Sequence, residues 1–393
     1  MSARLLTVNA GSSSLKFAVY AAGAERAQQV SGQVTDVAGA PRLRVRAGDA
    51  VVADEVWTQI NGLDGALMRT LDWIDGALGR EGVEVVGHRI VHGGLEFRGP
   101  VVLTGPVMAR LEALAPLAPL HQPFNLRGVA LAAGRFRGAL QVGVFDTSFH
   151  ATQPDIARLY ALPRDLIADG VLAYGFHGLS YDYIASVLEA EEGPRAGGRC
   201  IVLHLGSGVS LCAMAQGRSV ATTMGFSALD GPPMSTRCGA LDPGVILHLL
   251  QAKGMSVEQV SDLLYHRAGL LGLSGVSGDM VALLGDARPD ARQALEVYVY
   301  RIAREIGSLA AALGGVDTVV FTAGVGENAA PIRARIADLC GWLGVRLDAD
   351  ANAAAARVIS TSGSAVRVLV IPTDEQAVIA RDAWRTASQS AQR

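Results

Sequence analysis

The sequence lacks several features, and each absence excludes a class of protein. A formal charge of −3 over 393 residues, without a run of one sign, excludes a nucleic-acid surface and a polybasic membrane anchor. No segment approaches the apolar length that crosses a bilayer, and no secretion signal is found. We therefore expect a cytoplasmic protein whose partners are small molecules, with no nucleic acid and no membrane among them.

Cysteine and lysine are also scarce. The cysteines are widely spaced, without a CxxC pair or a histidine at metal-ligand spacing, so we interpret them as small buried hydrophobes: Cys200, Cys212, Cys238 and Cys340. Lys16 and Lys253 are the only lysines in a chain that is rich in arginine. A lysine kept beside a Gly/Ser turn, as Lys16 is, indicates that a compact ammonium is needed there.

Length indicates the domain organisation. A chain of 393 residues exceeds what one hydrophobic core usually supports. We expect an N-terminal domain over 1–150 that also takes in about 376–393. A C-terminal domain over 151–375 would bind a nucleotide and contribute a dimer interface, and a cleft would lie between the two domains.

Two similar hairpin patterns indicate an internal duplication. RLLTVNAGSSSLKFAVYAA places two β-rich apolar runs around a small-residue turn at 11–14. CIVLHLGSGVSLCAM, over 200–214, repeats the order of apolar strand, Gly/Ser turn and apolar strand. Each half would then supply one phosphate-facing turn.

The segments between and after these hairpins alternate in periodicity, which is typical of an α/β protein. Capping signals mark helix starts at Asp242 and at Ser256, where Gln259 completes a capping box. The predicted helices are 62–78, 106–114, 125–136, 290–313, an Ala-rich surface helix within 348–357, and one at the C-terminus. The predicted strands are 83–91, 141–146, 318–322, which runs into a turn at AGVGEN, and 366–371.

Two segments of the first half carry candidate anion ligands. The turn from Asn9 to Ser14, with Lys16 after it, lets backbone N–H groups and hydroxyls approach phosphate oxygens, although a Gly/Ser turn taken in isolation is more often a plain hairpin. In GHRIVHGG, Arg89 lies at a strand end beside glycines. It either presents its planar guanidinium to a carboxylate or phosphate, or forms a surface ion pair.

Further candidates follow along the chain. Asp146 ends the strand QVGVFD at the edge where α/β ligands tend to bind, with a helix cap as the rival interpretation. His177 in AYGFHGLSY aims a ring nitrogen into a pocket or is a satisfied core histidine. Arg237 in STRCG is an anion ligand or a member of an ordinary ion pair. His121 stands between prolines in a rigid loop, and its role stays open.

Taken together, these segments resemble the acetate kinase family in content and in order, over nearly the whole chain. The segments that carry the resemblance are VNAGSSSLKF, GHRIVHGG, LAPLHQP, FDTSFH, YGFHGLSY, HLGSGVS, MGFSALDG to STRCGALDP, FTAGVGEN and TDEQ. The resemblance implies an α/β fold of two duplicated actin-like (ribonuclease H-like) domains flanking a nucleotide cleft.

The resemblance also implies roles for particular residues. Arg89 would bind the substrate carboxylate or the transferring phosphoryl group, His177 and Arg237 would stabilise that group, and Asp146 would be essential. Because a carboxylic acid is already ionised at neutral pH, the nucleophile needs no general base. We therefore expect Asp146 to orient Mg²⁺ or the arginines.

The same resemblance implies ATP as co-substrate and Mg²⁺ or Mn²⁺ as metal. Asn9 and Glu375 correspond to residues near the metal. The expected nucleotide and phosphate contacts are Ser12, Lys16, His204, Leu205, Gly206, Ser207, Gly208, Asp279, Met280, Val281, Gly324, Val325, Gly326, Glu327 and Asn328. Ser207 replaces the usual Asn of HLGSG and Val281 replaces an Arg, which leaves the phosphoryl donor open.

The acyl pocket is expected to be small and apolar. Its residues would be Arg89, Val91, Leu120, His121, Phe176 and Ala228. Ala228 stands where acetate-preferring members usually carry Pro, and a missing ring admits an extra methylene. Val91 argues for acetate, since shrinking that side chain is the family's route to propionate.

The sequence thus predicts an acetate kinase that transfers a phosphoryl group reversibly between ATP and acetate, as a homodimer. A propionate or butyrate kinase of the same family is the alternative, and a non-catalytic actin-like ATPase is a more distant one. A sugar kinase would need an Asp that acts as a base on a hydroxyl, and Arg89 in GHRIVHGG argues against it.

Overall fold

The structure is a computed structural model that describes residues 4–11, 14–21, 27–37, 39–58, 60, 62–78, 82–119, 121–193 and 198–392. The strands within these residues are β1 (Arg4–Ala10), β2 (Leu15–Ala21), β3 (Gln28–Thr35), β4 (Arg42–Ala47), β5 (Ala50–Val56), β6 (Val83–Ile90), β7 (Val101–Val102), β8 (Leu140–Phe145), β9 (Arg199–Leu205), β10 (Val209–Ala215), β11 (Arg218–Thr222), β12 (Thr318–Thr322) and β13 (Arg367–Val370).

The helices of the same residues lie mostly between the strands. They are α1 (Gly62–Leu78), α2 (Gly105–Ala113), α3 (Gln122–Arg135), α4 (Asp155–Arg158), α5 (Arg164–Ala168), α6 (Gly178–Glu192), α7 (Pro243–Gln251), α8 (Val257–His266), α9 (Gly269–Ser274), α10 (Met280–Leu284), α11 (Pro289–Leu313), α12 (Ala323–Asn328), α13 (Ala330–Leu339), α14 (Ala349–Ala353) and α15 (Glu375–Ser390).

The chain divides into two compact units. Unit 1 comprises Met1–Phe149 with Asp374–Arg393, and unit 2 comprises His150–Thr373. Unit 1 has a sheet in the order β5-β4-β3-β2-β1-β6-β8-β7, and unit 2 has a sheet in the order β11-β10-β9-β12-β13. In both sheets an antiparallel hairpin, β1–β2 or β9–β10, is followed by two parallel neighbours.

This shared order confirms the expected duplicated α/β architecture. The five strands β3-β2-β1-β6-β8 of unit 1 correspond one by one to β11-β10-β9-β12-β13 of unit 2, with the same strand directions. Parallel strands of this kind are covered on both faces and therefore consist of almost continuous apolar residues. The buried runs of β1 and β9 fit that requirement.

Both faces of the unit 1 sheet are covered. Leu6 and Val8 of β1 join a core with Leu67 and Leu71 of α1, whereas Leu5 points into a second core with Ala383 of α15. The alternation follows from the period of two along a strand.

Gly87 of β6 permits the close approach of α15. A Cβ placed on Gly87 would lie 2.7 Å from a methyl carbon of Ile379 and 2.9 Å from the Cβ of Ala383. A larger residue at this position would push the last helix off the sheet.

Most predicted elements are confirmed. The helix over 62–78 and the strand over 318–322 have the predicted bounds, and Ser256 forms the predicted capping box with Gln259. Two predictions were wrong in detail. AGVGEN is the short helix α12, not a turn, and the Ala-rich region is helical only over Ala349–Ala353. Cys200, Cys212 and Cys340 are buried as predicted, whereas Cys238 is only half-buried.

No helix of the described ranges combines the length and the apolar character that a bilayer-spanning segment requires.

Candidate active site

Arg89 is held by Asp146 in unit 1. Arg89 lies next to the last residue of β6, and Asp146 directly follows β8, its parallel neighbour in the sheet. The Nε of Arg89 donates to both carboxylate oxygens of Asp146 at 3.1 and 3.0 Å, and Nη2 donates to Oδ2 at 2.5 Å. Asp146 is 1% exposed and Arg89 is 17% exposed. The guanidinium is therefore fixed by a buried carboxylate.

Asn9 and Glu375 extend this pair into a row of polar groups. The Nη1 of Arg89 donates to Oδ1 of Asn9 at 3.1 Å, and Nδ2 of Asn9 donates to Oε2 of Glu375 at 3.1 Å. Asn9 lies near the end of β1, and Glu375 is the first residue of α15. We call Asp146, Arg89, Asn9 and Glu375 the arginine cluster.

Burial and charge act in opposite directions within the arginine cluster. Burial raises the pKa of Asp146 above its ordinary value, and the charge and hydrogen bonds of Arg89 oppose that rise. Burial also works against the charge of Arg89, but Asp146 and Glu375 outweigh it and raise the pKa of Arg89. Each partner thus needs the other, because removing one would leave an uncompensated buried charge.

His177 occupies an unusual backbone position in unit 2. It is the N-cap of α6, with φ at 57° and ψ at 24°, in the left-handed region that non-glycine residues rarely adopt. Its Nδ1 lies 2.9 Å from Oγ of Ser210 on β10, and its ring stacks on His204 with centroids 4.2 Å apart. Strained positions of this kind cluster at functional sites.

Arg237 and His177 come together at Gly208. A Cβ placed on Gly208 would lie 3.2 Å from Nε2 of His177 and 3.7 Å from Nη1 of Arg237. The same Nη1 donates to the backbone carbonyl of Ala228 at 3.0 Å. Gly208 belongs to the turn between β9 and β10, so a side chain there would fill the space that both side chains face. We call His177, His204, Ser210 and Arg237 the histidine cluster.

The predicted nucleotide turn between β9 and β10 offers mainly backbone groups. The side chain of Leu205 is fully buried, and Nδ1 of His204 lies 2.9 Å from Oγ of Ser180. The N–H of Gly206 donates to the carbonyl of Gly208 at 3.0 Å. The carbonyl of Ser207 accepts from the N–H of Ser235 at 3.3 Å, so this turn is tied to the loop that carries Arg237.

The second predicted nucleotide segment, GVGEN, forms most of α12. This helix follows β12 directly, and Ala323 makes the junction with φ at 63°. Gly324 and Asn328 are exposed and Val325 is half-buried, whereas Gly326 is buried. Oε1 of Glu327 accepts from the N–H of Thr373 at 3.2 Å, and Nδ2 of Asn328 donates to the carbonyl of Gly324 at 2.8 Å.

The third predicted nucleotide segment forms the start of α10. The carboxylate of Asp279 caps this helix by accepting from the N–H of Ala282 at 2.9 Å. The side chain of Met280 is buried, and Val281 is 79% exposed. A nucleotide could therefore reach the carboxylate of Asp279 and the side chain of Val281, but not the side chain of Met280.

The predicted acyl-pocket residues lie in both units. Val91 is buried at the end of β6, and His121 is the N-cap of α3. Phe176 is buried and Ala228 is half-buried in unit 2. Leu120 lies outside the described residues, as does Ser12 of the predicted phosphate turn.

Lys16 is exposed on β2, and it pairs in register with Asn9 across the first hairpin. Register partners in an antiparallel pair point to the same face of the sheet. Lys16 therefore lies on the same face as one member of the arginine cluster.

Several residues that support the predicted site segments were not predicted themselves. Ser210 supports His177, and Asn125 links two strand ends by accepting from the N–H of Val91 at 2.9 Å and donating to the carbonyl of Ala10 at 2.6 Å. Arg333 is fully buried beneath α12, where its Nη1 donates to the carbonyls of Gly326 and Glu327 at 2.9 Å each. A polar residue inside an apolar strand, as Ser210 is in VSLCAM, is a signal that could have identified one of them.

The chain is similar to known proteins over nearly its whole length. The model of the acetokinase family matches residues 4–381. The chain is 48% identical to an acetate kinase of Rhodopseudomonas palustris (strain TIE-1), over 98% of this chain and 99% of that protein. It is also similar to the solved structure of Porphyromonas gingivalis acetate kinase, with a TM-score of 0.86, 34% identity and coverage of 98% and 100% of the two chains. A propionate kinase from Francisella tularensis gives a TM-score of 0.90 at 30% identity, over 98% and 99%. The chain belongs to the acetokinase family.

Proposed function

We propose that this protein is an acetate kinase that transfers a phosphoryl group reversibly between ATP and acetate, giving acetyl phosphate and ADP. Relatives named acetate kinase match it over nearly their whole length. The single observation that carries the proposal is the Arg89 guanidinium, fixed by a buried Asp146 at the carboxyl ends of two parallel strands. A planar, permanently charged donor at such a sheet edge suits a carboxylate or a phosphoryl group.

Asp146 acts in this proposal through Arg89. Acetate is ionised at neutral pH, so its oxygen can attack phosphorus without a base. The carboxylate of Asp146 is instead occupied with the Nε and Nη2 of Arg89. It fixes the direction of the guanidinium, and we therefore assign it as a positioning residue.

His177 and Arg237 supply positive or donating groups to the transferring phosphoryl group. Phosphoryl transfer passes through a loose state in which charge spreads over three oxygens, so fixed donors lower its energy. Both side chains face the space beside Gly208. We propose that Arg89 binds the substrate carboxylate or the transferring phosphoryl group.

Glu375 and Asn9 are the residues that would hold Mg²⁺. Magnesium prefers oxygen ligands and usually takes one or two carboxylates, with waters and substrate phosphates in the remaining positions. The carboxylate of Glu375 meets that requirement, and Asn9 orients it through the 3.1 Å hydrogen bond from Nδ2. Since Oδ1 of Asn9 already accepts from Arg89, Glu375 would be the direct protein ligand. When bound, the ion would neutralise phosphate charge.

The nucleotide would bind through the β9–β10 turn and α12. Gly206 and Gly208 leave room for phosphate oxygens near backbone N–H groups. The exposed Gly324 and Asn328 offer a surface to the nucleoside. Val281 presents no donor, so we expect weak discrimination between purine bases.

Trapping of acyl phosphate with hydroxylamine tests the proposed reaction. The purified protein is given acids of two, three or four carbons, with ATP, GTP or pyrophosphate as donor. We expect the highest kcat/KM with acetate and ATP, and propionate as the next best acid because Ala228 replaces a proline ring. Arg89→Lys should abolish most of the turnover, since lysine keeps the charge but loses the planar fork.

Arg127→Lys is the matched control, because Arg127 forms a half-exposed ion pair with Asp64 on the surface of unit 1. It should leave the rate unchanged. ATP hydrolysis without hydroxamate from any acid would favour a non-catalytic actin-like ATPase instead. Phosphorylation of a sugar hydroxyl would favour a sugar kinase.

We further propose that the protein is a homodimer that acts in the cytoplasm. None of the residues of α7 is buried, although the helix carries Val245 and Leu247, which are exposed. A second copy would remove such apolar side chains from water. Light scattering after gel filtration should give a molar mass of twice the 40.9 kDa of one chain.

Substitution and cell fractionation test these two proposals. Leu247→Glu should give the monomer mass, while Ile156→Glu, at an exposed residue of α4, should not. When the producing cells are fractionated, the protein should be recovered in the fraction that contains no membranes.

A further inference from the structure

His177 is held by a chain of two buried hydroxyl groups. Its Nδ1 lies 2.9 Å from Oγ of Ser210, and the same Oγ makes a short hydrogen bond with the hydroxyl of Tyr181. Ser210 and Tyr181 are both fully buried. The hydroxyl chain Tyr181–Ser210–His177 therefore lies in an interior where each proton has a defined direction.

The direction of these protons follows from their chemistry. Burial raises the pKa of Tyr181 well above its ordinary value, so its hydroxyl keeps its proton. A phenol is a better donor than an aliphatic hydroxyl, so we expect Tyr181 to donate to Ser210. The proton of Ser210 is then available to Nδ1 of His177, which would accept it. An imidazole whose Nδ1 accepts carries its proton on Nε2.

The Nε2 of His177 is the nitrogen that faces the candidate phosphoryl space. It is 3.2 Å from the position of a Cβ on Gly208, beside Nη1 of Arg237. Stacking on His204, with an angle of 19° between the rings, restricts the tilt of the imidazole. A proton on Nε2 would thus point as a donor to the same space as the guanidinium.

We propose that Tyr181 and Ser210 are positioning residues that hold His177 as the tautomer with its proton on Nε2, so that it donates a hydrogen bond to the transferring phosphoryl group. The proposal rests on the proposed function and adds two residues to it. Neither residue touches the substrate in this scheme. Each acts through the imidazole, which makes the effect separable from binding.

Removal of the hydroxyls one at a time tests the proposal. Ser210→Ala should lower kcat about tenfold, because a donor that is no longer held in the productive direction loses part of its contribution. The KM values for ATP and for acetate should stay within about twofold, since ground-state binding is unaffected. Tyr181→Phe should lower kcat by a smaller factor, about threefold, because Ser210 itself remains. Ser210→Thr, which restores a hydroxyl, should recover most of the rate.

Two control variants separate this effect from general packing. Ser186→Ala removes a hydroxyl that donates to the backbone carbonyl of Tyr183 on the same helix. Tyr298→Phe removes the hydroxyl of another fully buried tyrosine, on α11. Both controls should keep the kcat of the parent protein.

The tautomer itself can be read without turnover. In protein labelled with ¹⁵N-histidine, the His177 signals are identified by their loss in His177→Gln. The parent protein should show a protonated Nε2 and a bare Nδ1, and Ser210→Ala should show a mixture. A proton on Nδ1 in the parent protein, or an unchanged kcat in Ser210→Ala, overturns the proposal. If hydroxylamine traps no acyl phosphate from the parent protein, the proposed function fails while the tautomer measurement still stands.

Discussion

The two units use the same strand order but hold their functional side chains by different forces. In unit 1, Arg89 is fixed by a buried carboxylate, so opposite charge does the positioning. In unit 2, His177 is held by hydroxyl groups, and Arg237 donates to a backbone carbonyl. The duplicated scaffold therefore carries the arginine cluster, which is ionic, in one copy and the histidine cluster, whose partners are uncharged, in the other. Removal of a partner should lower activity more in the arginine cluster, because it leaves a buried charge without its counter-charge.

Asp146→Asn gives the largest expected effect. The amide of the variant has one oxygen and no charge, so it cannot replace the carboxylate whose two oxygens accept from Nε and Nη2 of Arg89. The guanidinium therefore loses its fixed direction and its counter-charge. We expect kcat to fall by about 100- to 1,000-fold, with only a modest change in KM for acetate. The hydroxylamine assay measures both.

Asp64→Asn is the control for this prediction, because Asp64 pairs with Arg127 at the surface of the same unit. Its kcat should equal that of the parent protein. Near-normal turnover in Asp146→Asn would show that opposite charge does not position Arg89, and the contrast between the units would be lost.

Arg333→Met tests whether uncharged partners can also make a residue indispensable. Arg333 donates to the carbonyls of Gly326 and Glu327. It also donates to Oδ1 of Asn352 at 2.8 Å and to the backbone carbonyl of Asn352 at 2.6 Å. Methionine would leave buried acceptors without donors, which costs about 3 kcal/mol. Urea unfolding should show this loss, together with a higher KM for ATP, since α12 rests on Arg333.

Arg335→Met is the comparison for Arg333, because Arg335 is half-buried on the same helix. Its effect should stay near roughly 0.5 kcal/mol. Equal losses in the two variants would mean that helix propensity, not the buried contacts, explains the result.

Acid should weaken both units through buried histidines. Burial lowers the pKa of His88 in unit 1 and of His150 in unit 2 to about 4. An unfolded histidine titrates near about 6.5, so between that pH and 4 the unfolded state binds more protons. The contribution of each buried neutral imidazole to the free energy of unfolding is therefore complete above about pH 6.5. It is lost as the pH falls, by about 2 kcal/mol per histidine at pH 5.

The difference between urea unfolding at pH 7 and at pH 5 measures this effect. His88→Gln and His150→Gln should each reduce that difference, whatever they do to stability at pH 7. A variant that keeps the full acid sensitivity of the parent protein would show that the histidine is already charged when folded.

Ala228→Pro gives the smallest expected effect. The carbonyl of Ala228 that accepts from Arg237 is retained in proline, so the cationic side chain should stay in place. The added ring should raise the ratio of kcat/KM for acetate over propionate by about tenfold. Val91→Ala should move the same ratio in the opposite direction. A ratio that does not respond to either change would place the acyl pocket elsewhere.

The repeated hairpins and most helices could be predicted because their signals are local. Strand periodicity around a Gly/Ser turn identified β1–β2 and β9–β10, and caps such as Asp242 and Ser256 located helix starts. Strands β3, β4 and β5 were not predicted, although β4 alternates buried and exposed residues in RLRVRA. AGVGEN was mistaken for a turn, because glycines are poor helix formers and the junction depends on one left-handed residue, Ala323.

Arg89, Asp146 and His177 could be singled out from the sequence, and Asp146 was expected to orient Mg²⁺ or the arginines, but the hydroxyl groups that hold His177 could not be predicted. Arg89 and Asp146 are 57 residues apart, and no local pattern states that they form a pair. The support of His177 by Ser210 joins residues 33 apart, and Arg333 looks like any other arginine on an amphipathic helix. Such pairings depend on strand order and register, which are properties of the whole sheet.

The position of α15 sets the order in which the two units can be finished during synthesis. Asn9 donates to a residue 366 positions later, and the C-terminal helix supplies one face of the unit 1 sheet. Unit 2 is made of one uninterrupted stretch, His150–Thr373. During synthesis, unit 1 therefore cannot cover this face of its sheet until α15 has been translated, whereas all of unit 2 is available once Thr373 has been translated.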